Sequence, residues 1–205
     1  MSGSPRILAG VTGMTWAARA PVWVVPGEWE LADCYAVADQ LAEVTGCHHA
    51  WGQLAAVGWV CGLRVSPVTQ RDDPLSVELV RAESWAALCG AASPPYGEPP
   101  PSEWQRFGVA ARPVVAGDAE FSHGVWCTLA WLLGHRADPP AQLPRRAHDG
   151  TVAPGGELYI TRPDLSSPVW VAAQQAARVA WRSEAIVWQR RVRRDFEYYD
   201  RSDFA

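Results

Sequence analysis

The sequence predicts a mainly α fold: a compact helical domain of five to six helices with minor short strands and a long C-terminal helix. Three observations lead to this prediction. Apolar side chains recur at spacings of three and four residues over long stretches, which is the period of an amphipathic helix. Glycine and proline stand at the ends of these stretches, where they stop a helix. Hydrophobic residues make up 48% of the 205-residue chain, which is enough to enclose a core and argues against disorder.

The first half of the chain combines an extended N-terminal segment, residues 1–28, with a first helical half, residues 29–90. Gly46 and Gly62 follow apolar periodic stretches and are expected to cap their helices. Asp73, with Pro74 in the first turn, has the residue types of a helix start. The elements predicted here are a short strand over 22–25, a helix over 29–44, a helix over about 49–61 and a helix from Asp73 to Gly90.

The second half begins after a proline-rich linker, residues 91–101, whose three consecutive prolines favour the polyproline II conformation. Ser102 and Gln105 match a capping box and predict a short helix that Pro113 ends. The elements predicted after it are a helix over about 119–133, a strand over Leu158–Ile160 and a long helix from Ser167–Pro168 to about Phe196. The second helical half therefore covers 102–165, and the long helix and its tail cover 166–205.

The composition excludes several classes of function. All 18 basic residues are arginine and the chain has no lysine, so a Walker-type phosphate loop and Schiff-base chemistry are excluded. The formal net charge of −4 argues against a bulk nucleic-acid binder. No stretch reaches the length of uncharged apolar residues that a membrane helix needs, and the N-terminal apolar run is too short for a signal peptide. We therefore expect a cytoplasmic protein without a membrane segment and without a cofactor.

A short pattern occurs twice, 72 residues apart: Gly-x6-Trp-x2-Gly-x-Arg-x2-Pro. In each copy the tryptophan would face the core, the second glycine would take the left-handed turn, and the arginine could reach back to the last helical carbonyls. Two interpretations stay open: a duplicated binding surface, or two ordinary helix ends. The positions of the pattern are Gly52, Trp59, Gly62, Arg64 and Pro67, and then Gly124, Trp131, Gly134, Arg136 and Pro139.

The five cysteines show no tight pairing, so in a reducing compartment we expect mainly buried free thiols. Cys47 and His49, together with His123 and Cys127, nevertheless offer the nitrogen and sulfur ligands that zinc prefers. His123 and Cys127 are four residues apart and so share a helix face. The spacings match no standard zinc finger, and the alternative interpretation is a set of core and surface residues.

The C-terminal helix is the candidate interaction element. It presents a stripe of small residues, and it carries tryptophans nearly on one face, followed by a cluster of arginines. These arginines could complement the helix dipole, bind phosphate or bind a protein partner. The stripe is Val169, Ala172, Ala173, Ala176, Ala180, Ser183 and Val187. The candidate interaction residues are Trp170, Trp181, Trp188, Arg190, Arg191, Arg193 and Arg194.

The stretch from His123 to Pro140, His-Gly-Val-Trp-Cys-Thr-Leu-Ala-Trp-Leu-Leu-Gly-x-Arg-x-x-Pro-Pro, resembles uncharacterised proteins of high-GC actinobacteria and their phages. The resemblance implies no activity. Our leading hypothesis is a non-catalytic protein-interaction or assembly protein, of phage or mobile-element origin, with a protein partner or a second copy as its ligand. The alternatives are an arginine-mediated nucleic-acid-binding accessory protein and a small metal- or thiol-dependent enzyme.

Overall fold

The computed structural model describes residues 6–8, 16–92, 97–115 and 118–202, with side chains described between 16 and 196. The prediction of a mainly helical fold with a long C-terminal helix is confirmed. The helices are α1 (Glu28–Thr45), α2 (His48–Val60), α3 (Val77–Ala92), α4 (Pro101–Arg106), α5 (Ala119–Leu132) and α6 (Pro168–Ser202). Two short strands, β1 (Arg6–Leu8) and β2 (Leu158–Ile160), pair antiparallel, and a 3-10 turn covers Ala17–Arg19.

Helices α2 and α5 form the centre of the core, and they cross where each has a glycine. A Cβ atom on Gly52 would lie 2.2 Å from the carbonyl oxygen of Phe121, and one on Gly124 would lie 2.0 Å from the carbonyl oxygen of His49. The two backbones are therefore in direct contact, which only glycine permits. Helix α1 packs against α2, α3 packs against α5, and α6 covers α3 and α5.

The two copies of the repeated pattern adopt the same local structure at their helix ends. Gly62 and Gly134 both take the left-handed conformation, with φ of 75° and 73°. Trp59 and Trp131 are both 5% exposed. The last helical carbonyls accept hydrogen bonds from backbone N–H groups, as in the Leu63 N to Gly58 O bond of 2.7 Å. The expected capping by the arginine side chains was wrong, because Arg136 pairs with Glu184 instead and Arg64 is exposed.

Several predicted boundaries were also wrong. Residues 22–25 form no strand, and Val25 N instead donates to Leu132 O at 3.0 Å. Helix α3 begins at Val77 because Ser76, not Asp73, accepts from the N–H of Leu79 at 3.1 Å.

The short helix α4 also differs from its prediction. It begins at Pro101, one residue before the proposed capping box, and it ends at Arg106 rather than near Pro113. Of the predicted linker 91–101, residues 91–92 belong to α3, residues 97–100 form no regular element and Pro101 begins α4, while residues 93–96 lie outside the described residues.

Two buried carboxylates fix the loops to this helical core. Glu83 of α3 accepts hydrogen bonds from the backbone N–H groups of Val68 and Thr69, at 2.5 and 2.9 Å, and from the Thr69 hydroxyl at 2.7 Å. Asp33 of α1 binds Arg146 through two parallel bonds of 2.6 Å. Such paired geometry is the strong form of an arginine–carboxylate interaction. The segments after α2 and after α5 are thus held to α3 and α1.

Candidate functional site

Three of the four Cys and His candidates meet where α2, α5 and α6 come together. His49 Nε2 lies 3.1 Å from His123 Nδ1, and the Cys127 sulfur lies 3.5 Å from the same nitrogen. The ligand atoms of these three residues all lie within 4.8 Å of one another. We call His49, His123 and Cys127 the His-His-Cys cluster. His49 reaches it because its own backbone lies at the glycine crossing of α2 and α5.

Glu184 of α6 completes the polar surroundings of the cluster. Its Oε2 atom lies 3.3 Å from His123 Nε2, and its Oε1 atom pairs with the Arg136 guanidinium. A carboxylate accepts but does not donate, so His123 carries its proton on Nε2 and presents the Nδ1 lone pair to His49. The hydrogen bond from His123, together with that from Arg136, holds the pKa of Glu184 down at about 2, and burial opposes them.

Trp181 covers the cluster. Its ring stacks on His49 at 4.2 Å between centroids and on His123 at 5.7 Å. His49, His123 and Cys127 are 9%, 2% and 3% exposed. Burial lowers the pKa of His49 to about 3 and that of His123 below its usual range, and it raises the pKa of the Cys127 thiol to about 12. The imidazoles are therefore neutral and the thiol is protonated, which is the opposite of an activated nucleophile.

Cys47 and His48 point away from the cluster. Cys47 is half-buried beside the start of α2, where it lines a surface pocket together with Glu120 and Trp170. His48 pairs with Asp118, which also caps α5 by accepting from the N–H of Phe121 at 2.7 Å. Asp118 thus serves the start of α5 and His48 together.

Sequence reasoning missed Glu184 altogether. Arg136 and Trp181 were selected for other roles, as a helix-end residue and as an interaction residue. One signal was available: Glu184 is the lone acidic residue between Pro168 and Arg194, a stretch that carries six arginines. A single carboxylate in such a helix indicates a specific partner.

The tryptophans of α6 face inward, so they are not an exposed surface. Trp188 packs against Trp126, with ring centroids 6.0 Å apart, and Trp170 is half-buried beside the start of α2. Between α3, α5 and α6 lies a cavity of about 380 Å³, whose aromatic floor includes Trp85 and Phe107.

The outer face of α6 is the small-residue stripe. All seven residues of the stripe are exposed. Val169 and Val187 are 79% and 64% exposed, and the adjacent Val179 is 67% exposed. Five helical turns separate Val169 from Val187, so the stripe runs straight along the helix. Isolated exposed valines are common, but a continuous row of exposed small and apolar residues on one helix is the pattern of a face that packs against another surface.

The arginines at the end of α6 are partly engaged within the chain. Arg193 lies 3.4 Å from Glu103 and over the Trp85 ring at 5.8 Å. Arg191 lies over Trp188 at 5.1 Å. Arg190 and Arg194 are exposed and continue the outer face beyond Val187. The acidic-aromatic tail beyond Phe196 lies outside the described side chains.

Comparisons with protein-family models, with curated proteins and with solved structures found no match. Within the described residues, every helix is too short or too polar to cross a membrane.

Proposed function

We propose that this is a non-catalytic assembly protein that associates with a second copy of itself through the outer face of α6. The observation that carries the proposal is the continuous exposed stripe from Val169 to Val187 on a 35-residue helix. The helix is about 50 Å long at 1.5 Å per residue, which provides a long surface for pairing. Small side chains along it allow a second helix to approach closely.

Charge favours an antiparallel pair of α6 helices. A parallel pair would bring Arg190 and Arg194 of one copy against those of the other, because both continue the stripe. An antiparallel pair centred near Ala176–Ala180 places the two arginine groups at opposite ends of the interface. By chain counting, each group then lies near Asp164 of the other copy, an exposed carboxylate.

The remaining hypotheses receive less support. Nucleic-acid binding would use the four arginines of α6, but Arg193 has an ion pair with Glu103 and Arg191 covers a tryptophan. Thiol catalysis would use Cys127, which is buried and whose pKa is raised to about 12. The outer face of α6 needs no rearrangement to bind a partner.

The experiment is sedimentation equilibrium on the full chain and two variants. Ala176→Glu adds a charge at the centre of the stripe, and we expect it to weaken self-association at least tenfold, since a buried unpaired charge is strongly unfavourable. Gln175→Glu, the matched control, adds the same charge one residue away on an exposed position off the stripe, and we expect it to associate like the unmodified chain. Equal association constants for the two variants would contradict the proposal.

A further inference from the structure

We propose that the His-His-Cys cluster is a binding site for a transition-metal ion of the zinc type, held by His49 Nε2, His123 Nδ1 and the Cys127 sulfur. The site is independent of the association of α6 helices. Two imidazole nitrogens and one thiolate are ligands that Zn²⁺ prefers, because it is a borderline-soft cation.

Two of the three distances between the ligand atoms match a tetrahedral ion. Zinc–nitrogen bonds of about 2.0–2.1 Å and zinc–sulfur bonds of about 2.3 Å separate two nitrogens by about 3.3 Å and a nitrogen from a sulfur by about 3.6 Å. The corresponding separations are 3.1 Å between His49 Nε2 and His123 Nδ1, and 3.5 Å between His123 Nδ1 and the Cys127 sulfur. The third separation, between His49 Nε2 and the Cys127 sulfur, is within 4.8 Å. The sulfur also lies 3.7 Å from His123 Nε2, so it lies over the imidazole ring, and a side-chain rotation of Cys127 or His123 would bring it onto an ion at Nδ1.

The residues around the cluster are those that a metal site requires. A histidine that binds a metal usually donates its other ring N–H to a carboxylate, which orients the ring and raises its basicity. Glu184 lies in that position on His123, and Arg136 holds the second oxygen of the carboxylate. Trp181 stacks on both imidazoles and excludes solvent from that side.

The backbone prepares the site before any ion arrives. The glycine crossing holds the His49 backbone against α5, and His123 and Cys127 project from one face of α5.

The charges around the cluster also suit a divalent cation. A bound ion would deprotonate Cys127, and the thiolate together with the Glu184 carboxylate would neutralise two positive charges. The additional charge of Arg136 is on a side chain that is 20% exposed.

The test is metal binding by the chelator-treated full chain. Zn²⁺ is titrated against a chromophoric chelator, and Co²⁺ serves as the spectroscopic probe, because a cobalt–thiolate bond gives a charge-transfer band. We expect one equivalent of either ion per chain and a thiolate band with Co²⁺. A folded chain that binds no Zn²⁺, or that binds Co²⁺ without the thiolate band, would overturn the proposal without the use of any variant.

Variants locate the ion. Cys127→Ser is expected to abolish the cobalt–thiolate band and to weaken Zn²⁺ binding more than 100-fold. Cys89→Ser is the matched control, because Cys89 is equally buried, on α3, and we expect it to bind like the unmodified chain. Glu184→Gln keeps the shape of the side chain and should weaken binding about 10- to 100-fold. An undiminished band in Cys127→Ser would refute the site.

A Cys127→Ser chain that fails to fold is replaced by His49→Gln, whose side chain is the most exposed of the three. Loss of the Zn²⁺ equivalent in that variant supports the site, and retention with unchanged affinity refutes it. Sedimentation of the same samples separates the two proposals. Loss of metal with unchanged association leaves the α6 interface standing, and loss of association with unchanged metal binding leaves the site standing.

Discussion

Replacement of Gly124 by alanine tests how the core is built. The added Cβ would lie 2.0 Å from the carbonyl oxygen of His49 and 2.9 Å from its carbonyl carbon. An ordinary contact needs about 3.4 Å or more, so α2 and α5 must separate by more than about 1 Å. The colliding atoms belong to the backbone and cannot rotate away, as the end of a side chain could.

The magnitude follows from two opposing terms. Overpacking of a tight core costs about 1–3 kcal/mol, and the backbone collision places Gly124→Ala at the upper end. Alanine has a higher helix propensity than glycine by about 1 kcal/mol, which offsets part of this cost. The net decrease in the free energy of unfolding is therefore about 2 kcal/mol. For a chain of this size, about 2–4 °C per kcal/mol gives a fall in Tm of about 4–8 °C. Gly52→Ala meets the Phe121 carbonyl oxygen at 2.2 Å and should behave alike.

Gly58→Ala is the control within α2. Its Cβ would meet only the Arg64 side chain, at 3.2 Å, and that side chain is exposed and can move. We expect the helix propensity to dominate, with stability unchanged or raised by up to about 1 kcal/mol. The assay is thermal and urea unfolding followed by circular dichroism. If Gly124→Ala is as stable as the unmodified chain, or if the two substitutions have the same effect, the helices do not cross as described.

Two further predictions concern the thiols and the loop anchor. At pH 8 an alkylating reagent should label the native chain at Cys47 alone and should label all five cysteines after denaturation. The reason is that the other four cysteines are buried and their thiol pKa values are raised to between about 11 and about 12. Mass spectrometry checks this prediction, and rapid labelling of a second cysteine in the native chain would contradict it. Arg146→Ala should lower the free energy of unfolding by about 3 kcal/mol, because it leaves the 3%-exposed Asp33 carboxylate buried without its partner. Adding Asp33→Asn to the Arg146→Ala chain should restore part of that loss. Arg145→Ala, at the exposed neighbouring residue, is the control and should change the free energy of unfolding by less than about 0.5 kcal/mol. An equal loss for the two arginine substitutions would exclude the ion pair as the cause.

Helix existence could be predicted from the sequence because local signals determine it. Apolar periodicity and the glycine stops placed α1 and α2 within one residue of their observed bounds. The start of α3 was wrong because Asp73 and Ser76 are both acceptable N-caps, and only the tertiary position of the helix selects Ser76. The pairing of β2 with β1 joins segments about 150 residues apart, and no local pattern specifies such a contact.

The candidate site could be predicted only in part. The chemistry of His49, His123 and Cys127 is visible in the sequence, but their meeting depends on two glycines that allow α2 and α5 to touch. Glu184 comes from a third helix, and its direction depends on the rotation of α6. The same rotation decides which face of α6 is exposed: the small residues turn outward and the tryptophans inward, which removes the tryptophans from the surface expected for interaction.

The central claim is self-association through the outer face of α6, and the molar mass of the unmodified chain tests it most directly. Light scattering across a concentration series should give twice the 22.4 kDa of a single chain at the upper end and a fall toward 22.4 kDa on dilution. A dimer with a Kd of about 1 μM has about 8 kcal/mol of binding free energy and would be almost fully formed at about 100 μM. A mass of 22.4 kDa at every concentration up to that value would therefore contradict the account.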